Sequence, residues 1–416
     1  MRKKGAAMRS LLHALPLGGL AIAVWLGALA SAEAQPPLRI GASFSNTGTY
    51  AELGQAVHRG QQLCVKHAND KGGVLGRKIQ LTVEDDQSEV AKAVAIYERL
   101  IAQDKVAAVF SPYSSPITDA IANITEKHRM PVVACCAATT SIFKKGRKFI
   151  FMLTSPAEVN FEGFIDMSVK RGLKTIAVIN EDTLFPRAWA QGTAELAKKR
   201  GLQVVLAEAY SKGTTDFSGI LGRVKAANPD VLAAGTYFAD AVAITRQLKE
   251  TNINPRMHGV TVGGQLLKFY EQLGRSAEFV YGSSQWEPEL VTLRAGGLVP
   301  IARQYPGARE FVEAYRKEFP GADLSYETAR GYGACQILLE GIRRAGTLDG
   351  EKIRDAILKM DLHTVFGAFK VDQDGLQVAH KALMFQWQDG KKVIVWPEEL
   401  APDKARFPTP PWSQRP

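Results

Sequence analysis

Short apolar runs alternate with amphipathic stretches of helical period along most of the chain, and this alternation constrains the fold more than any motif does. The spacing predicts strands at Leu38–Gly41, Ile79–Glu84, Val106–Phe110 and Pro131–Cys135. Between them it predicts helices at Gly54–Asn69, Val90–Ala102 and Ile117–His128. The pattern resumes with strands Thr175–Ile179, Leu202–Ala207 and Asp230–Ala234, followed in turn by helices Arg187–Arg200, Phe217–Ala226 and Asp240–Glu250. Strands separated by helices imply βαβ units and mostly parallel sheets. Such sheets bind ligands outside the carboxyl ends of their strands.

The N-terminus has a different character. Arg2, Lys3, Lys4 and Arg9 precede an apolar stretch from Leu11 to Ala32, which ends in Ala32-Glu33-Ala34. That order is the layout of a secretory signal peptide. Cleavage is expected after Ala34, with Ala30 as the second choice. The alternative is an uncleaved anchor helix, since the run is nearly long enough to span a bilayer. Pro16 and Gly18-Gly19 weigh against that, and no Cys follows the run to carry a lipid. Removing residues 1–34 leaves about 380 residues, more than one ordinary core and enough for two domains. No later segment is apolar for long enough to span a membrane, so the mature chain is expected to be soluble.

The formal net charge of +10 falls to +7 without that segment's four cations and one anion. The remaining charges are scattered, with no basic run interleaved with aromatics, so nucleic acid is not an expected partner. The four cysteines, Cys64, Cys135, Cys136 and Cys335, lack zinc-site spacing. Neighbours such as Cys135 and Cys136 rarely pair, so buried free thiols are expected.

The motifs of common enzymes are missing: no phosphate-binding G-x-x-x-x-G-K, no G-x-G-x-x-G after a strand, no G-x-S-x-G and no H-E-x-x-H. His58, His67, His128, His258, His363 and His380 show no metal spacing on one helix. No catalytic residue, metal or cofactor is therefore expected. Asp85 and Asp86 follow a strand, where neighbours point opposite ways, and read as a turn or cap rather than an acid–base pair.

The informative segments lie just past strand ends. Phe110-Ser-Pro-Tyr-Ser-Ser-Pro-Ile-Thr118 places Ser115 as N-cap and Pro116 in the first turn. Free N–H groups and hydroxyls at such a start suit a carboxylate or carbonyl. Cys136-Ala-Ala-Thr-Thr-Ser141 offers small and hydroxylated residues where a ligand can approach the backbone. Asn180-Glu-Asp-Thr-Leu-Phe185 and Gly235-Thr-Tyr-Phe-Ala-Asp240 put aromatics past two later strands, where they can cover a ligand.

Together these residues resemble the branched-chain amino-acid binding proteins of ABC transporters. The resemblance covers nearly the whole mature chain. It rests on Leu38-Arg-Ile-Gly41, Asn46-Thr-Gly48, Tyr50 and Gly54, then on Asn69-Asp-Lys-Gly-Gly-Val-Leu-Gly-Arg-Lys78 and Glu84-Asp-Asp86. Asp216-Phe-Ser218, Asn228-Pro-Asp230 and Trp396-Pro397 extend it. The fold it implies is a type I periplasmic binding fold: two three-layer α/β lobes with mostly parallel sheets, joined by three hinge crossings. The expected division is residues 38–152 plus 286–364 for one lobe, 153–285 plus 365–396 for the other, and a poorly packed Pro-rich tail over 397–416. Crossings are expected at Phe149–Pro156, Phe279–Glu287 and Phe366–Phe369.

The resemblance puts the family's carboxylate-binding Ser on Ser114, beside Ser115, and its second loop on Ala137, Ala138 and Thr139. A cleft-lining position falls on Leu53, and the two second-lobe tyrosines fall on Phe185 and Tyr237. The acidic residue that meets an amino-acid ammonium falls on Thr261. A buried ammonium without a partner is expensive. Either Asp240 or Glu327 compensates, or the ligand is an amide or a carboxylate without an ammonium, with Trp286 available to stack on it. The implied protein is a monomeric, periplasmic transport receptor that hands a small-molecule solute to an ABC permease. A sensor of the same fold and an α/β hydrolase or oxidoreductase are the competing classes.

Overall fold

The computed structural model describes residues 35–291, 294–295, 299–300, 304–401 and 404–415. The basic and apolar N-terminal segment, with both expected cleavage sites, lies outside the described residues.

From Pro37 onward the chain is one α/β unit built on two sets of strands. In the first, β1 (Leu38–Phe44) lies between β2 (Ile79–Asp85) and β3 (Ala108–Val109), all parallel. β4 (Val132–Ala134) pairs in parallel with β5 (Ile150–Met152). The connecting helices are α1 (Ala51–Asp70), α2 (Val90–Glu98) and α3 (Ser115–Lys127). The helix predicted to run to Ala102 tightens its hold on the core by ending in a π-helical turn, Arg99–Gln103, which keeps Leu100 and Ile101 buried.

The second set is a seven-stranded sheet. Five consecutive strands, running in from the β7 edge, are parallel: β6 (Thr175–Glu181), β7 (Gln203–Tyr210), β8 (Val231–Gly235), β9 (Met257–Val260) and β10 (Tyr281–Ser284), in the order β7-β6-β8-β9-β10. β8 reads Val-Leu-Ala-Ala-Gly and is buried throughout, as expected of a strand covered on both faces. Helices α4 (Glu162–Lys170), α5 (Leu184–Lys199), α6 (Ser218–Ala227), α7 (Phe238–Glu250) and α8 (Leu267–Leu273) accompany it.

After β10 the chain returns to the first set through the short strands β11 (Arg294–Ala295) and β12 (Val299–Pro300) and helices α9 (Ala308–Glu318), α10 (Tyr326–Ala345) and α11 (Gly350–Leu358). α10 lies along α1 at very close range. A Cβ on Gly60 would sit 2.0 Å from the Thr328 carbonyl, and one on Gly331 would sit 2.2 Å from the Val57 carbonyl. Only glycine permits that approach.

The same helix pair corrects the reading of the cysteines. Cys64 on α1 is bonded to Cys335 on α10, their Cα atoms 6.3 Å apart, and Cys135 is bonded to Cys136. A separation of 271 residues hid the first partnership, because only helix packing brings those two positions together.

The third crossing also differs. Phe366–Phe369 forms the turn and second arm of an antiparallel hairpin, β13 (Asp361–Thr364) with β14 (Gly367–Lys370). The chain joins the seven-stranded sheet only at β15 (Leu383–Gln388), which pairs antiparallel with β10 and with β16 (Lys391–Trp396). On the way it stitches the crossings together. Gln377 donates to the Leu153 carbonyl (2.9 Å), and the His380 ring nitrogen Nε2 lies 3.0 Å from the Gln285 carbonyl.

The tail, expected to be poorly packed, is docked instead. The Gln386 amide donates to the Arg406 carbonyl (2.9 Å), the Thr409 N–H to Arg256, and the buried Trp412 indole N–H to the Ile253 carbonyl (2.7 Å). Prolines remove donors, but a tryptophan supplies both apolar area and a directed hydrogen bond.

Candidate functional site

Five loops leave the carboxyl ends of parallel strands and meet at one cavity. β3 and the start of α3 contribute Tyr113, Ser114 and Ser115, and the loop after β4 contributes Cys136 and Ala138. From the other sheet come Phe185 in the first turn of α5, Tyr237 before α7 and Val262 after β9. Asn160 enters from just after the first crossing, Gln285 from the second, and Tyr326 and Arg330 from α10. A second groove, lined by Cys64 on α1 and Tyr332 and Gln336 on α10, shares no residue with that cavity.

The local reasons are legible. Ser114 has extended backbone angles and stands at the N-cap of α3, with Ser115 and Pro116 as the first helical residues. The cap is therefore one residue earlier than the sequence pattern placed it, because the helix admits Ser115 ahead of the proline. Asp85 and Asp86 do turn opposite ways. Asp86 accepts from the Ser43 and Ser45 hydroxyls (2.7 Å each), and Asp85 accepts from the backbone of Asn46 (2.9 Å) and Gln87 (2.8 Å), which pins the loop carrying Tyr50.

Aromatic rings bridge the two sheets. Tyr50 lies 4.9 Å from Tyr237 and 5.5 Å from Tyr113, and Phe185 lies 6.3 Å from Tyr237, measured between ring centres. At the rim Lys268 pairs with Glu52 (2.7 Å), and the Lys212 ammonium sits 5.2 Å from the Tyr50 ring centre.

The charged groups are buried and engaged. Arg330 is 4 % exposed, pairs with fully buried Glu327, and lies 5.3 Å and 5.0 Å from the ring centres of Tyr113 and Tyr326. Burial raises the Glu327 carboxyl to about 7, against the opposing pull of Arg330. Gln265 reaches across from the second sheet and donates to Glu327 (3.1 Å). Asp240 accepts from the Tyr210 hydroxyl and from the Tyr237 N–H (2.8 Å), and burial raises it to about 7 as well.

Of the residues singled out from sequence, Ser114, Ser115, Ala138, Phe185 and Tyr237 surround the cavity. Thr139 stands one layer back, its hydroxyl 3.4 Å from that of Ser115. Thr261 is turned onto its own sheet: its hydroxyl donates to the Thr236 carbonyl (2.6 Å) and accepts the Thr236 N–H (2.8 Å). Leu53, in the first turn of α1, is buried in the core, and Trp286 packs on Phe311 with ring centres 5.8 Å apart. Arg330 and Tyr326 were missed. The available signal was Glu327 and Arg330 three residues apart in the otherwise uncharged first half of α10, where an unpaired buried charge would not be tolerated. Among the described residues no cluster suits a metal ion, and no helix is long and apolar enough to cross a membrane.

A cavity at the carboxyl ends of two α/β sheets, walled by loops from both and crossed by hinge segments, defines a two-lobed solute-binding protein. The chain belongs to the periplasmic binding protein family, whose pattern matches residues 37–392. Membership implies a periplasmic location and a protein that binds solutes rather than transforming them. It is 28 % identical over 405 residues to Leu/Ile/Val-binding protein homolog 7 of Brucella suis, covering 94 % of this chain and 98 % of that one. The fold is that of type I binding proteins. The branched-chain amino acid substrate-binding protein of Streptococcus pneumoniae, solved with isoleucine, aligns with TM-score 0.75 at 24 % identity, over 86 % of this chain and 97 % of that one. A solute-binding protein of an ABC transporter from Rhodopseudomonas palustris, solved with benzoate, aligns with TM-score 0.74 at 18 % identity, over 86 % and 95 %.

Proposed function

We propose that this chain is the solute-binding component of an ABC importer. It captures a small amino-acid-like, amide or carboxylate solute between its lobes and delivers it, as a monomer, to a membrane permease. Export through residues 1–34 with cleavage after Ala34 belongs to the same proposal. The observation that carries it is the cavity at converging strand ends, with Ser114 and Ser115 on one wall and Phe185 and Tyr237 on the other. Helix starts and hydroxyls hold an anionic or carbonyl group, and rings from two lobes bury the remainder on hinge closure. Relatives of this fold have been solved with both an amino acid and a simple carboxylate, so the solute class rests on this chain's own residues.

The test is thermal unfolding of refolded protein against branched-chain and polar amino acids, short amides, and aliphatic and aromatic carboxylates. A solute at a hundred times its dissociation constant adds about 2.7 kcal/mol, a midpoint shift of a few degrees. A panel that leaves the midpoint unmoved throughout removes the receptor reading.

A further inference from the structure

Among the described residues that line the cavity, Arg330 alone carries a formal charge. Its guanidinium lies against Tyr113 and Tyr326 and pairs with Glu327, yet its Nε–H has no hydrogen-bond partner. Ser114 Oγ is also buried without a well-formed hydrogen bond, although the Tyr50 hydroxyl is near it. A guanidinium only donates, and buried donors are rarely left unpaired. A ligand that completes this site supplies acceptors.

The acidic groups around the cavity are already engaged: Glu181, at the end of β6, accepts from the Thr183 hydroxyl (2.8 Å) and has the Lys212 ammonium near it. Glu327 is engaged by Arg330 and Gln265, and Asp240 by Tyr210 and the Tyr237 N–H. The Thr261 hydroxyl is closed onto the Thr236 backbone in both directions. An ammonium entering here meets Arg330 without a counter-anion of its own, which desolvation makes unfavourable. The rings of Tyr50, Tyr113, Tyr237 and Phe185 meanwhile offer flat apolar faces.

We infer that the cleft selects a carboxylate without an α-ammonium, carried on an apolar and preferably aromatic body, and that Arg330 reads its charge. This deepens the receptor reading and rests on it. Arginine suits the task because its planar fork matches a carboxylate and stays charged when buried.

Matched pairs provide the test. Protein refolded from guanidinium, which clears carried-over solute, is titrated calorimetrically with 3-phenylpropanoate and phenylalanine, with 4-methylpentanoate and leucine, and with benzoate and benzamide. At least one carboxylate is expected to bind a hundredfold or more tighter than its amino-acid or amide counterpart. Arg330→Gln alone strands the buried Glu327 carboxylate, so the decisive variant is Arg330→Gln with Glu327→Gln, its fold checked by circular dichroism. That pair is expected to weaken carboxylate binding by roughly 30-fold or more. Equal or tighter binding of phenylalanine or leucine overturns the inference and leaves the receptor reading standing. Carboxylate affinity unchanged in the double variant overturns the role of Arg330. Binding by no member of any pair overturns both.

Discussion

Asp240 shows how a single side chain sets the shape of a cleft wall. It joins β7 to α7 by accepting from Tyr210 and the Tyr237 N–H, and so fixes the backbone from which the Tyr237 ring projects. Burial raises its carboxyl to about 7 from an ordinary 3.8. Between those values the folded chain holds a proton that the unfolded chain has lost. The contribution of this group to stability is therefore present at low pH and is lost as pH rises towards about 7. Asn imitates the protonated form. Asp240→Asn is expected to gain on the unsubstituted protein as pH rises from 5 to 8, by an amount on the order of a few kcal/mol. Melting temperatures of both proteins at the two pH values measure it, and a difference independent of pH contradicts the assignment. Partly buried His58 and buried His258 and His380 work in the opposite sense, because desolvation lowers them to about 4, 3 and 4 and acid must charge them on unfolding. The comparison with Asp240→Asn cancels their shared effect.

At the scale of elements, α10 matters most, because it carries Tyr326 and Arg330 to the cavity and Glu327 to the pair behind them. Three features hold it on α1: close approach at Gly60, close approach at Gly331, and the Cys64–Cys335 bond. A disulfide closing so long a loop contributes about 2–4 kcal/mol. Gly331→Ala places a methyl group against the Val57 carbonyl, which the helices relieve only by moving apart. A loss of about 1–3 kcal/mol is expected, together with weaker solute binding, since Arg330 is the adjacent residue. Gly222→Ala, at an exposed position of α6 where an added Cβ meets nothing within 4 Å, serves as the control and is expected to be neutral or stabilising. Equal effects of the two substitutions on melting temperature and dissociation constant would exclude this account.

In the whole molecule, several contacts span the cleft and report its closure. Gln265 to Glu327, Lys268 to Glu52 and the Tyr50–Tyr237 rings each join groups from opposite sides. Opening the hinge parts all three and exposes the Glu327–Arg330 pair to water. On the proposed reading solute and closure are linked through one helix, and a solute that satisfies Arg330 favours the closed state by its difference in affinity for the two. Small-angle scattering is expected to show a smaller radius of gyration with saturating solute than without it. An unchanged radius would place recognition outside any hinge motion.

The alternation of strands and helices from Leu38 to Cys135 and from Thr175 to Glu250, the parallel sheets and five of the cavity residues were legible from sequence. Each is local: periodicity shows in a few residues, and Ser114, Ser115, Ala138, Phe185 and Tyr237 announce themselves by following a strand end. What stayed hidden depends on segments far apart in the chain. Arg330 lies far along the chain from Ser114, inside a helix whose own pattern says only that it is buried. Cys64 and Cys335 become partners only when α1 meets α10, and the Pro-rich tail finds a place only when Ile253 and Asn254 offer it hydrogen bonds. The sequence by itself determined the elements and their order, because backbone propensity and amphipathic period act over one turn or one strand. Tertiary structure alone decided which charge lines the cavity, because burial and pairing belong to neighbours in space.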